Sequence, residues 1–426
     1  MNKIKACLVI VIIVVFSGCI GLFPVAPVSV ASLGVEEGSA DAFGFDLTPE
    51  PETMPQQTPA PTPQPTPEPA KISIMAVGDI MFHRAQIDAA YDKETRTHDF
   101  SYSYQFVKDI LSSADLAIGN LECPLAGPGR PYSVANGKSF NAPDSAAIAL
   151  KEAGFDVIST VNNHSHDRGL AGLLRTIDTL REAGIVCAGT RKDADEPRFF
   201  MTDLQGIRVG VTAYSYGDKN AGYANLYARS NTQKALETIG QTVIEMREAG
   251  AEIVILFIHW GSEYQRKPSG QQTKLAHVLC EAGVDIIFGS HPHVLQPVDI
   301  MTSESGHRTI VAYSLGNFIS NQRTRFNPKF KYTEDCMILH VEVTKQDGEK
   351  AYVSGVTYLP TWTMMYTSGG KRHYTVLPLE KALASPKAYD LLTEYDKKKA
   401  QKSLNDTNAL MADAVERGLL SLMQLD

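Results

Sequence analysis

Four apolar runs in this chain stop abruptly on polar residues, and that pattern restricts the fold more than any other feature of the sequence. Ile72 to Val77 runs into Gly78-Asp79, and Phe155 to Thr160 into Asn162-Asn163-His164. Ile253 to Ile258 runs into His259-Trp-Gly, and Val284 to Phe288 into Gly-Ser-His291-Pro-His293. Runs of this length read as buried strands, and polar groups at the carboxyl ends of such strands point into one crevice. Helical spacing appears between them: Leu170, Leu173, Leu174 and Ile177; Leu236, Ile239, Val243 and Met246; Leu275, Val278, Leu279 and Ala282. Strand, polar turn and amphipathic helix alternate, so the predicted core is mixed α and β. Ile207 to Tyr214, Thr309 to Tyr313 and Cys336 to Val343 alternate and predict half-exposed strands; Thr357 to Tyr366 and Tyr374 to Leu379 predict further strands.

The ends of the chain are of another kind. Lys3 and Lys5 precede an apolar run from Ala6 to Phe16 and then Ser17-Gly18-Cys19, the parts of a secretory signal. The last three resemble a bacterial lipobox with Cys19 as the lipidated residue, although Phe16 stands where leucine is usual. The alternative is an uncleaved anchor helix, since residues 6–26 carry no charge and approach the ~20 apolar residues that span a bilayer. Both readings keep Lys3 and Lys5 inside and put the remainder outside the cytoplasm, anchored to the cell membrane. Residues 20–70 become rich in Pro and Thr and read as a disordered linker, a stalk extending ~3.1 Å per residue. A folded domain is expected over 71–380 and a helical tail over 381–426, in which Lys397-Lys398-Lys399 reads as a solvated face without chemistry.

The net charge is −8, and seven acidic residues fall in the linker, which has no Lys or Arg. With the leader's two lysines also set aside, the folded part is left at about −3, which argues against nucleic acid as a partner. Beyond Cys7 and Cys19, the widely spaced Cys123, Cys187, Cys280 and Cys336 read as buried free thiols.

Five of the eleven histidines, His164, His166, His259, His291 and His293, lie in the turns after strands. Asp79, Glu122, Asn163, His259, His291 and His293 are groups of the kind that hold one or two divalent cations. Two such ions ~3.5–4 Å apart would clamp the attacking and leaving oxygens of a phosphoryl or acyl centre. Arg84 has the fork to grip a phosphate or carboxylate, although an exposed arginine is as often a surface ion pair. Glu263 and Tyr264 are candidates to line the pocket, or else they only hold the turn. Asn317 is a candidate to orient a ligand histidine.

Gly78-Asp79-Ile-Met-Phe-His-Arg84, Gly119-Asn-Leu-Glu122, Asn162-Asn-His-Ser-His-Asp167-Arg-Gly169, His259-Trp-Gly-Ser-Glu263-Tyr264, Gly289-Ser-His-Pro-His293 and Ser314-Leu-Gly-Asn317 occur in this order. The series resembles the CapA family of poly-gamma-glutamate capsule biosynthesis proteins, over about residues 71–320. That family in turn resembles the calcineurin-like metallophosphatases. The resemblance implies a four-layer αββα sandwich, two mixed β-sheets flanked by helices. It implies Asp79 as first-motif ligand, Glu122 as bridging carboxylate, Asn163 as second-metal ligand, and His259, His291 and His293 as the remaining ligands of Mn, Fe or Zn. The catalytic candidates are His164, as the acid that protonates the leaving group, and Asp167. Two departures stand out: Met81 occupies the place of a first-motif histidine and is a poor ligand for a hard cation, and the bridging aspartate is the longer Glu122. These departures leave one metal position weak or empty unless His83, His166 or Asp167 substitutes.

The expected function is synthesis, transport or trimming of an anionic surface polymer such as poly-gamma-glutamate by a metal-dependent hydrolase. A general secreted metallophosphoesterase and a non-catalytic polymer-binding subunit of a membrane synthase complex are the rival expectations.

Overall fold

Each of the four apolar runs becomes a strand with both faces covered, which is why its sequence does not alternate. The computed structural model describes residues 68–134, 139–217, 222–385 and 391–425. The leader with Cys19, the linker up to residue 67, and residues 386–390 and 426 of the tail lie outside the described residues.

The chain opens with β1 (Ala70–Ile80), the short helices α1 (Arg84–Ala90) and α2 (Lys108–Ser112), and β2 (Leu116–Leu121). Then come α3 (Ser145–Glu152), β3 (Val157–Ser159), α4 (Gly169–Glu182), β4 (Val186–Ala188), β5 (Phe199–Leu204) and β6 (Ile207–Tyr216). The middle continues with β7 (Leu226–Tyr227), α5 (Thr232–Glu248), β8 (Ile253–His259), α6 (Gly270–Glu281), β9 (Ile286–Ser290) and β10 (Leu295–Thr302). The last part holds β11 (Arg308–Leu315), β12 (Asn317–Ile319), β13 (Asp335–Lys345), β14 (Tyr352–Ser368) and β15 (Lys371–Pro378). After these follow α7 (Leu379–Ala384), α8 (Glu394–Glu416) and β16 (Ser421–Leu422).

A nine-stranded sheet is ordered β15-β14-β13-β1-β2-β3-β4, with β12 on β1 and β16 on β14; a seven-stranded sheet is ordered β10-β11-β9-β8-β6-β5, with β7 on β6. Both are mixed. In the first, β1 to β4 are parallel and β13 lies antiparallel to β1. In the second, β6, β8, β9 and β11 are parallel, with β5 and β10 antiparallel at the edges.

Alternate residues of one strand serve different layers. Ile72, Ile74 and Ala76 of β1 meet Ile253, Ile255 and Phe257 of β8 between the sheets. Met75 and Val77 face Leu111 of α2 and Leu150 of α3, whereas Val254, Leu256 and Ile258 face Val243 of α5 and Leu279 of α6. The result is a four-layer αββα sandwich, and each fully buried Val, Leu or Ile in it contributes roughly 1.5–3 kcal/mol.

Two strands expected to be half exposed are not. In β6 and in β11 Arg208 and Arg308 are the exposed residues, and nearly all the rest is buried. Both strands lie inside their sheet with helices over one face, and their Gly, Thr and Ala imitate a solvent face because they are small or hydrogen-bonded, as Tyr214 and Thr212 are. β13 alternates only near its end, at His340 and Glu342. The tail is helical in α8 but ends in strand β16, since the edge of β14 offers parallel pairing to Ser421 and Leu422. Met411 and Ala414 of α8 enter the inter-sheet core, and Arg417 pairs with Asp299 at 2.8 Å. Cys123, Cys280 and Cys336 are buried, Cys187 is half-buried, and all four are free. Among the described residues no helix is long and apolar enough to cross a membrane.

Candidate metal centre

Parallel strands put their carboxyl ends on one edge, so the residues that follow β1, β2 and β3 gather there, and those that follow β8 and β9 gather on the facing edge. The first sheet delivers oxygens and the second delivers imidazoles. Asp79 Oδ2 lies 3.0 Å from His293 Nδ1, and Glu122 Oε1 lies 3.6 Å from His259 Nε2 and 3.8 Å from His293 Nε2. Ligand atoms of Asp79, Glu122 and His293 lie within 4.8 Å of one another, as do those of Glu122, His259 and His291. Glu122 belongs to both triples. Asn163 joins the second, its Oδ1 2.8 Å from His259 Nε2.

Close backbone approach makes this convergence possible. A Cβ on Gly78 would stand 1.9 Å from the Gly316 carbonyl, to which Asp79 N–H donates at 2.8 Å; one on Gly289 would stand 2.2 Å from the Tyr313 carbonyl. His291 and His293, on either side of Pro292, adopt φ values of 94° and 58°. Non-glycine residues in this region cost of order 1–3 kcal/mol each and persist where the surroundings enforce them.

The supporting hydrogen bonds fix each ring. Asn162 Nδ2 donates to Asn120 Oδ1 at 3.2 Å, and Asn120 Nδ2 donates to Asp79 Oδ1 at 2.8 Å, a chain of amides behind the carboxylate. His293 Nδ1–H lies 3.0 Å from both Asp79 Oδ2 and Asn317 Oδ1, which leaves its Nε2 lone pair toward Glu122. Asn317 Nδ2 in turn donates to Ser320, Gln322 and the Thr333 carbonyl. His259 Nδ1 is held by Ser290 Oγ at 2.9 Å, and His291 Nε2 by the Tyr216 hydroxyl at 3.3 Å.

The electrostatics are those of buried acceptors without donors. Neither carboxylate oxygen of Glu122 meets a hydrogen-bond donor, and neither does buried His291 Nδ1. Burial and the neighbouring Asp79 push the Glu122 carboxyl well above the usual carboxylate range. Burial also holds His259 well below the usual histidine range and His291 down to about 3, and the adjacent imidazoles add to both shifts. Neutral imidazoles and acceptor-only oxygens form a donor set that fits one or two divalent cations, because a cation is what would satisfy these orphaned lone pairs.

A cleft of about 630 Å³ opens over the centre, lined by Met81, His83, Asn163, His164, Glu263, Tyr264 and His293 among others. His164 Nδ1 donates to Asp167 Oδ2 at 2.9 Å, and Asp167 also accepts Phe140 N–H at 2.7 Å. Neither triple includes His83, His166 or Asp167, so none of these fills the position Met81 vacates. Arg84 is placed elsewhere: it is exposed on α1 and pairs with Asp88 at 2.7 Å, because the first residue of that helix reaches its i+4 neighbour and not the cleft.

Several contributors were not singled out from the sequence. Asn120, two residues before Glu122 in the same motif, and Asn162, beside Asn163, carried a readable hint in their positions. Tyr216 and Arg372 carried none, since β6 and the β14–β15 hairpin reach the centre only through the fold.

The chain is 31% identical over 263 residues to the capsule biosynthesis protein CapA of Bacillus anthracis, covering 59% of this chain and 60% of that one. It is 29% identical over 270 residues to the PGA biosynthesis protein CapA of Bacillus subtilis, covering 61% and 67%. The chain thus spans about 60% to two thirds of the length of these relatives. Among solved structures, the calcineurin-like phosphoesterase YfkN of Bacillus subtilis overlays with a TM-score of 0.39 at 14% identity, covering 80% of this chain and 98% of that one, a likeness too slight to carry an argument. The family model of the bacterial capsule synthesis protein PGA_cap matches residues 73–322, more than half of the sequence and all the ligand-bearing turns, and the chain belongs to that family.

Proposed function

We propose that the chain is a membrane-anchored, extracytoplasmic protein that acts hydrolytically on an anionic surface polymer such as poly-gamma-glutamate, during its synthesis, transport or trimming. The observation that carries this reading is Glu122, a buried carboxylate shared by two ligand triples with neither oxygen hydrogen-bonded. Asp79, Glu122 and His293 would hold one divalent ion, Mn, Fe or Zn, and Glu122, Asn163, His259 and His291 a second. Ions held there would supply Lewis acidity at the scissile centre and lower the pKa of water. The chain's own residues do the rest. Asp167 accepts from His164 Nδ1–H and so turns Nε2 toward the cleft, where the imidazolium form of the ring carries the second proton that passes to the departing group and leaves the neutral ring behind. Glu263 and Tyr264 line the cleft beside the centre, and Arg372 brings a positive charge to its rim. Supporting the location are the lipobox-like Ser17-Gly18-Cys19 and the capsule-related relatives; subunits of a membrane synthase are the partners this reading implies.

The test is metal analysis of the purified full chain, with turnover of poly-gamma-glutamate followed with and without added ion. Bound metal in the wild type that is lost in Glu122→Gln, together with polymer cleavage lost in His164→Ala, is the expected result. A wild type that binds no metal overturns the reading. Met81, a thioether at the rim where a nitrogen ligand is usual, favours a second reading in which the protein holds polymer without cleaving it. In that case metal binds, no cleavage occurs, and His164→Ala keeps full function in the cell.

A further inference from the structure

The segment 320–335 walls two clefts. Asn321, Gln322 and Phe330 face the metal centre, and Thr324, Lys331 and Tyr332 face a second groove of about 370 Å³ against α8. That groove gathers cations on aromatic rings. Lys331 and Lys402 lie 4.6 and 5.5 Å from the Tyr332 ring centre, and Lys399 lies 5.1 Å from that of Tyr395. Tyr332 itself holds φ at 71°, so its ring is presented at a backbone cost.

The groove's carboxylates are already engaged. Asp406 pairs with Lys402, Glu334 with buried Arg323 at 2.5 Å, and Asp335 accepts from Ser403 Oγ at 2.6 Å. Among the described residues, Arg325, Lys331 and Lys399 have no carboxylate within ion-pair reach. Three like charges beside one groove repel one another, and an anion there removes that cost. The ridge between the clefts is Phe326, 45% exposed, with Arg325 of the groove and Arg372 of the metal cleft stacked over its ring at 4.7 and 5.8 Å. A line of cations therefore runs from Arg372 at the rim of the metal cleft across Phe326 to Arg325 and the groove.

We propose that this groove is a second binding subsite for an extended polycarboxylate chain, whose strand enters the metal cleft at one end while repeated carboxylates lie on Arg325, Lys331 and Lys399. A chain with charges at regular intervals matches cations strung along a path, whereas a single small anion would engage one cleft alone. Exposed ion pairs of this kind are individually weak and screened by salt, so affinity grows with chain length and falls with ionic strength. The aromatic floors confine the lysine stems and restrict where the ammonium groups sit. The proposal rests on the polymer reading given above.

The experiment measures binding of fluorescently labelled gamma-linked glutamate oligomers, long and short, to the full chain by anisotropy at low and high salt. The variants are Lys331→Glu/Lys399→Glu and, separately, Lys331→Gln/Lys399→Gln, with thermal melting and metal content checking the fold. The expected result is tighter binding of the long oligomer by the wild type, weakened roughly tenfold by charge reversal and less by the neutral pair. Short-oligomer binding and metal content stay unchanged. Long-oligomer binding equal in wild type and folded variants overturns the groove while leaving the polymer reading intact. No binding of either oligomer by metal-loaded wild type overturns both. Equal competition by single-stranded DNA or by vesicles of anionic phospholipid overturns the assignment to a polycarboxylate.

Discussion

The metal centre and the α8 groove lie on opposite sides of the 320–335 segment and are electrostatic opposites. The first collects acceptors without donors: two oxygens of Glu122 and one nitrogen of His291, all buried just past strand ends. The second collects cations on long side chains that reach toward solvent, beside carboxylates that already have partners. Rigid, desolvated acceptors suit a small cation, whose affinity depends on ligand geometry; mobile, solvated cations suit a polymer whose charges need only fall nearby. The difference shows how one chain can pair a precise centre with a tolerant approach to it.

The largest effect should come from Glu122→Gln. Removing the carboxylate shared by both triples should strip metal from the protein altogether, and because burial and Asp79 already disfavour the ionised carboxylate, a neutral amide there should not destabilise the metal-free chain. Metal analysis and denaturant midpoints after chelation check both; retained metal with lowered stability would break the contrast, because Glu122 would then be structural.

On the groove side, burial pushes the Asp335 carboxyl up to about 7, against the hydrogen bond from Ser403. Its folded value lies above its ordinary value of 3.8, so between these two values the folded state keeps a proton that the unfolded state has lost. Stability from this group therefore falls as pH rises through that window, by a total on the order of 4 kcal/mol. Asp335→Asn should flatten the slope, read from urea midpoints at about pH 5 and about pH 7.5. An unchanged slope would show that the groove is less dry than its geometry implies.

A smaller change is expected from Asn317→Ala. It removes one of two acceptors on His293 Nδ1, so affinity at the Asp79 triple should fall by the ~10–100-fold typical of such partners while the His259 and His291 triple is spared. Titration with metal would show one weakened site and one intact. Equal weakening of both would show that the triples do not act separately. The smallest effect is Arg84→Ala, an exposed i, i+4 pair outside both clefts, expected to change stability by under ~0.5 kcal/mol and metal or oligomer binding not at all.

Much of the sandwich was legible because both-face burial leaves a continuous apolar run, and the runs in β1, β8 and β9 bear that mark without help from any partner. The polar residues that end them were legible for the same reason: a hydrophilic group directly after a buried strand has no place in the core. Where burial was achieved with Gly, Thr and Ala, as in β6 and β11, the linear pattern imitated a solvent face, because small or hydrogen-bonded side chains hide their environment. The tail read as helical, but the linear order could not say that Met411 would enter the inter-sheet core or that Lys399 would overlook a groove, since a helix does not name what covers it.

The amino-acid order alone determined which chemical groups exist and which strand tips carry them: Asp79, Glu122 and Asn163 on one set of tips, His259, His291 and His293 on another. Tertiary structure alone decided that Glu122 is shared between two triples, that Arg84 faces solvent while Arg372 reaches the cleft, and that His291 and His293 hold left-handed backbone angles. The physical reason is reach. A side chain's type and its neighbours along the chain are local properties, whereas contacts between groups more than a hundred residues apart depend on how two sheets pack, and packing is fixed by the whole core at once.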